Sequence, residues 1–241
     1  MKTFADTPLR MGAILAAAGL VVLATGGCGG TAGSENPVKT PAAAAQDPKV
    51  LTGGELNAML LSADAMPKGF KINADGTRDS GDVLAEGSTS TVPRDKLCGI
   101  LLQTAWIRAA GIDGAAFAQN DYLGPGRAGQ FAQEIDTFQG DNAEKVMAAL
   151  KKAFGQCASF IDKSDGTTAQ VKLVRSAVPG VGDEAIKAVQ TSPAWQGGTT
   201  LVAARVGNAV VTTLYSSSGK DKGAAGVKMT KAIVENVQAA Q

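Results

Sequence analysis

Residues 199–215 read TTLVAARVGNAVVTTLY, and their pattern decides the fold class. Gly207-Asn208 is a two-residue turn signal that accommodates positive φ, so the flanking runs pair as an antiparallel hairpin. Leu201 to Ala204 and then Val210 and Val211 are apolar at successive positions. A strand with one wet face alternates, whereas one covered on both faces does not. The hairpin is therefore expected at the centre of a sheet with helices on it.

The chain on either side supplies those elements. Residues 168–176, TAQVKLVRS, alternate as a strand, and residues 183–189 suit a short strand or a helical turn. Upstream, 141–154 (DNAEKVMAALKKAF) is the clearest helix. Asp141 is its N-cap, Val146, Met147, Leu150 and Phe154 form its apolar stripe, and Gly155 is its stop. Residues 114–123 and 129–138 read as two strands joined by the Gly124-Pro125-Gly126-Arg127 turn. Residues 93–108, PRDKLCGILLQTAWIR, carry a helical stripe through Leu97, Ile100, Leu101 and Ala105. A short helix is expected around Leu56, Met59 and Leu60, and 224–238 read as a C-terminal helix. Phe70 to Asn73 suits a strand, while 73–90, poor in apolar residues, read as a mobile loop. The class is α+β: a mainly antiparallel sheet with packed helices.

The N-terminus has a different grammar. Residues 11–28, MGAILAAAGLVVLATGGC, follow Lys2 and Arg10 and carry no charge. A basic start, a short apolar run and small residues before a cut make an export signal. The run resembles bacterial lipoprotein signals, in which the cysteine, here Cys28, is diacylated and becomes the first mature residue. Thr25 stands where such signals usually have Leu. A plain secretory signal or an uncleaved anchor are the other readings. Two acyl chains hold a protein stably on a membrane. Residues 29–49, with Pro37, Pro41 and Pro48, lack apolar periodicity and form a tether. The expected organisation is a signal over 1–27, lipidated Cys28 and tether over 28–50, and one domain over 51–241. The expected location is the extracytoplasmic face of the cell membrane.

Composition narrows function. Removing residues 1–27 takes away Lys2, Arg10 and Asp6 and leaves 21 basic and 21 acidic residues. A charge-balanced chain has no electrostatic pull towards nucleic acid. The sequence has no histidine, the commonest general base and metal ligand. Of three cysteines, the signal claims Cys28. Cys98 and Cys157 are then an even pair in an oxidising setting, expected as a disulfide rather than two buried thiols or a redox site. It closes a loop of about 60 residues, worth roughly 3–4 kcal/mol on the chain-entropy model.

No catalytic motif survives inspection. Gly180-Val181-Gly182-Asp183-Glu184-Ala185 matches a dinucleotide loop by letters, but two acids stand where a pyrophosphate would sit. A tight turn entering a strand is the better reading. Ser217-Ser218-Gly219-Lys220 has acyl-enzyme spacing without its partner motifs. The acid pairs Glu134/Asp136, Asp162/Asp165 and Asp183/Glu184 are expected to be solvated loop or strand-face groups. Among the aromatics, Trp106 reads as core, while Trp195, Tyr122 and Tyr215 are the candidates for a ligand groove.

Several stretches together resemble the extracellular sensor domains of PknH-type mycobacterial serine/threonine kinases, a module also found in free-standing actinobacterial lipoproteins. They are LLSADAMPKGF (60–70), Cys98 ahead of its helix, VMAALKKAFGQCASF (146–160), VPGVGDEAI (178–186) and VAARVGNAVVTTLY (202–215) with the terminal helix. The resemblance implies a sheet-and-helix sensor fold with a cleft for an extracytoplasmic ligand. The kinase-linked members carry a second disulfide whose cysteines this chain lacks. The reading is thus a non-enzymatic, membrane-anchored sensing or ligand-binding lipoprotein. Its partner is a small molecule, a cell-wall component or a protein, with no cofactor and no metal. A scaffolding envelope lipoprotein is the main alternative, and a carboxylate-based hydrolase the third.

Overall fold

The computed structural model describes residues 49–127, 129–217 and 223–241. The signal, Cys28, most of the tether and the Ser218–Lys220 stretch lie outside the described residues. Within them, β7 (Gly198–Val206) and β8 (Ala209–Ser217) form the expected hairpin in register Val206↔Ala209 to Gly198↔Ser217. Gly207 turns it with φ 54°.

Six more strands extend this hairpin on both sides. They are β1 (Lys71–Asp79), β2 (Ala116–Leu123), β3 (Gly129–Thr137), β4 (Ser159–Asp162), β5 (Ala169–Ala177) and β6 (Glu184–Thr191). The antiparallel order is β1-β2-β3-β8-β7-β6-β5-β4, so the hairpin occupies the two middle places, as its two-sided apolar pattern requires. Of the two readings for residues 183–189, the strand holds, as β6 over Glu184–Thr191. Gly180 and Gly182 sit in the turn before β6, as expected. Asp183 pairs there with Arg205 at 3.0 Å and accepts the Gly207 N–H, and Glu184 pairs with Lys151, so those acids are structural.

Alternation along the strands sends side chains to two cores. On one face, α1 (Gly53–Asn57) and α4 (Ala224–Ala240) cover Tyr122, Phe131, Ile135, Ala204 and Val211. Buried polar groups stitch this layer. Thr213 and Thr230 hydroxyls meet at 2.7 Å, and Gln133 exchanges hydrogen bonds with the Leu61 backbone. On the other face, α2 (Arg94–Ile100) and α3 (Asn142–Gln156) cover Ala132, Leu201, Ala203, Val210 and Leu214. Cys98 of α2 and Cys157 at the end of α3 form the expected disulfide, with Cα atoms 5.4 Å apart.

Four expectations need correction. The helix read over 93–108 stops at Ile100. Leu102 and Gln103 donate to carbonyls three residues back, and a 3₁₀ turn follows at Trp106–Ala110. Gln190 takes the Leu101 carbonyl that a continuing helix would have used. Residues 73–79 are strand β1, and the next eleven are hydrogen-bonded along 111–117 rather than forming a free loop. Asp141 precedes α3 but makes no side-chain cap; it pairs with Lys145 at 2.6 Å, and α3 runs through Gly155. Strand β4 was not foreseen.

Candidate functional site

The site grows from the mid-section of β3. Phe131, Gln133 and Ile135 face the α1/α4 core, so Ala132, Glu134 and Asp136 face the other way. Both sheet faces are covered here, and Glu134 and Asp136 are only 5% and 7% exposed. The expectation of solvated acids fails for this pair. β2 places Phe117 opposite Asp136 and Gln119 opposite Glu134.

The Trp106–Ala110 turn roofs these residues. Trp106 is fully buried, its ring 5.6 Å from that of Phe154, and its Nε1–H donates to the Thr213 carbonyl. With the neighbouring disulfide, this fixes a turn that a longer helix would have carried elsewhere. Ile107 and Arg108 project from it.

The side wall is the segment between Ser80 and Ser90, laid antiparallel on 111–117. Ser80 N–H donates to Phe117 O (3.0 Å), Ala85 N–H to Ala115 O (2.7 Å), and Asp113 N–H to Ser88 O (2.8 Å). The Ser88 hydroxyl also bonds the Asp113 carboxylate. Together these elements line a partly open cavity of about 330 Å³. Arg78, Ala85, Arg108, Asp113, Glu134 and Asp136 are among its lining residues.

The charged groups are held differently. Arg78 lies 5.4 Å above the Phe117 ring and donates from Nε and Nη2 to Gln119 Oε1 at 3.3 and 3.1 Å. Gln119 in turn donates to Asp121 Oδ1 (3.2 Å) and Thr104 Oγ1 (3.3 Å). Arg108 donates to Ala105 O (3.3 Å) and Gln103 Oε1 (2.6 Å). The carboxyls are less well served. Glu134 Oε2 and Asp136 Oδ2 are buried and have no hydrogen-bond partner among the described residues.

Burial dominates their ionisation. It pushes the Glu134 carboxyl up to about 7, against the pull of Arg78 and Arg108 and with the added repulsion of Asp121. Asp136 is raised well above the usual carboxylate range, first by burial and then by Glu134 and Asp113, with Arg78 opposing. Asp121 is also raised by burial, and its hydrogen bond from Gln119 partly offsets this. An apolar environment favours the neutral acid. The cavity therefore holds two carboxyls whose charged forms await a partner.

The three aromatic candidates lie elsewhere. Tyr122 is core under α1, its hydroxyl donating to Leu61 O at 2.8 Å. Tyr215 is half-buried against the same core, and Trp195 is half-buried in the turn between β6 and β7. None of them lines the cavity. Sequence reading noticed Glu134 and Asp136 as an acid pair but assigned no role to Arg78 or Arg108. The i, i+2 spacing of the two acids on β3 was the available signal. What it lacked was the roof.

Among the described residues, no group of three or more His, Cys, Asp or Glu is arranged to hold a metal ion. No helix there is long and apolar enough to cross a membrane.

No family model and no curated protein matches the sequence. In structure, the chain is similar to the crystal structure of the extracellular domain of PknH from Mycobacterium tuberculosis. The TM-score is 0.56 and the identity 14%, over 79% of this chain and 98% of that one. The likeness establishes a shared fold.

Proposed function

We propose that this chain is a non-enzymatic, lipid-anchored extracytoplasmic protein whose α+β domain binds a small ligand, in a sensing role, in the cavity roofed by Trp106–Ala110. The observation that carries the reading is that Glu134 and Asp136 both line this cavity and that each has a buried carboxyl oxygen without a partner among the described residues. Buried polar atoms are nearly always satisfied, and a bound ligand would account for these two exceptions, which lie on cavity-lining residues. The fold shared with a kinase extracellular domain and the Cys98–Cys157 disulfide support an exported setting. The aromatic trio of Trp195, Tyr122 and Tyr215 is set aside in favour of this cavity.

A hydrolase would use one carboxyl as acid and a second, ionised one across the scissile bond. Glu134 and Asp136 instead stand side by side on one strand and are both raised. This favours binding over bond cleavage.

The test is a thermal-shift screen of polar metabolites against the full-length chain and an Ala85→Trp variant. Ala85 is an exposed wall residue whose N–H bond to Ala115 O any residue can make, so tryptophan there obstructs the cavity at little cost to folding. Compounds that stabilise the wild type but not the variant are expected. Equal stabilisation of both places the ligand elsewhere.

A further inference from the structure

The reading above leaves the chemistry of the ligand open, and the cavity's own hydrogen bonds constrain it. The inference that follows rests on that reading. Both arginines direct donors to protein acceptors: Arg78 to Gln119, and Arg108 to Ala105 O and Gln103. Arg78 is further held over the Phe117 ring. Each arginine keeps further N–H donors, but both side chains are exposed to water, so the buried unmatched capacity is on the acceptor side, at Glu134 Oε2 and Asp136 Oδ2. A ligand that completes this site when both carboxyls are ionised must bring donors.

Charge points the same way. With both acids protonated, Arg78 and Arg108 outnumber Asp113 in the lining; once both ionise, the two arginines meet three carboxylates, Asp113, Glu134 and Asp136, and negative charge is in excess. A buried ion pair with hydrogen bonds to both partners is the arrangement that makes a desolvated carboxylate tolerable. Successive same-face residues of a strand are about 7 Å apart, close to the span between the ends of a short diamine. The cavity, about 330 Å³, is at the small end of ligand sites.

We propose that this cavity binds a small organic cation bearing ammonium N–H donors, seated on the carboxylates of Glu134 and Asp136. Binding must then displace protons. The groups that set this linkage are Arg78 from β1, Asp121 from β2, Glu134 and Asp136 from β3, Arg108 from the roof, and Asp113 from the stretch before β2. Affinity for the cation rises with pH as the empty site's carboxyls ionise.

The experiment is isothermal titration of the full-length chain with 1,4-diaminobutane, with 1,4-butanediol as its neutral analogue and succinate as an anion, at pH 6 and pH 8. The diamine is expected to bind, about tenfold more tightly at pH 8 for each proton released by a group titrating near 7. The expected affinity for the other two is at least tenfold weaker. The double variant Glu134→Gln/Asp136→Asn, checked for an unchanged near-ultraviolet dichroism spectrum, is expected to lose diamine binding at least tenfold. Diamine binding that survives the double variant overturns the proposal, as does no binding by the diamine. Succinate or butanediol binding that Ala85→Trp abolishes overturns the cation assignment but leaves the cavity as the site. Binding that neither substitution affects removes both.

Discussion

Glu134 and Asp136 share one face of β3, both line the same cavity, and each has a buried carboxyl oxygen without a partner among the described residues. Sharing that space, an ionised Glu134 raises the cost of ionising Asp136. For Glu134 the folded state holds its proton up to about pH 7, whereas the unfolded carboxyl releases it near 4.5. The native state thus binds more protons in between, and its stability falls as pH rises through that window. Below 4.5 the term is fully favourable; above about 7 it has been lost. It amounts to about 3 kcal/mol by the usual conversion of such a shift. Glu134→Gln, neutral at every pH, is expected to be stabilised relative to wild type by that order at pH 8, and to differ little at pH 4. Denaturant unfolding at the two pH values measures it.

The roof depends on Trp106 and the disulfide. Trp106→Ala removes a fully buried ring that packs on Phe154, and is expected to destabilise by about 3–5 kcal/mol. The chain has two tryptophans, so a Trp195→Phe background isolates the buried one. Its fluorescence is expected to be blue-shifted and poorly quenched by iodide until the chain unfolds.

Replacing Cys98 and Cys157 by alanine opens a link spanning 59 residues. The expected loss is roughly 3–4 kcal/mol on the chain-entropy model. Non-reducing peptide mapping of the wild type should yield the Cys98–Cys157 linked peptide, and thiol labelling of the native chain should miss both positions.

Gly76 tests the close packing beside the site. A Cβ there would lie 2.3 Å from Asp121 Oδ2. Asp121 belongs to the chain Arg78–Gln119–Asp121, and β1 is irregular between Asn73 and Arg78 where it passes. Gly76→Ala is expected to cost about 1–3 kcal/mol as an overpacking substitution. Because it displaces Asp121, it should also disturb the cavity, and the thermal shift produced by bound ligand should shrink.

The reach of the sequence varied with the physics involved. The apolar run on both sides of Gly207-Asn208 announced a central hairpin, because only two covered faces tolerate it. Helix α3 was legible from its stripe, and the disulfide from cysteine parity and compartment. The break after Ile100 was not, because it depends on the distant Gln190 amide at Leu101 O and on the pocket for Trp106 formed by Phe154 and Thr213. Strand β4 escaped because it is short, at the sheet edge and mostly solvated, held by pairing with β5. The polar stretch after Asp79 read as free chain because its bonds go to 111–117, another part of the sequence. The two acids looked solvated for the same reason: the roof that buries them folds in from elsewhere.

The anchor is a separate proposal with its own test. Cys28→Ala is expected to move the chain from the detergent phase to the aqueous phase on phase partitioning, and to abolish incorporation of labelled fatty acid. Continued membrane retention would remove the lipid anchor without touching the cavity.

The central claim is that a small molecule occupies the cavity beneath the Trp106–Ala110 turn. Native mass spectrometry of the full-length chain, gently isolated from its own cells, tests it most directly when Ala85→Trp is measured alongside. The account predicts a small-molecule adduct on the wild type that the variant lacks. An adduct carried equally by both proteins would contradict it.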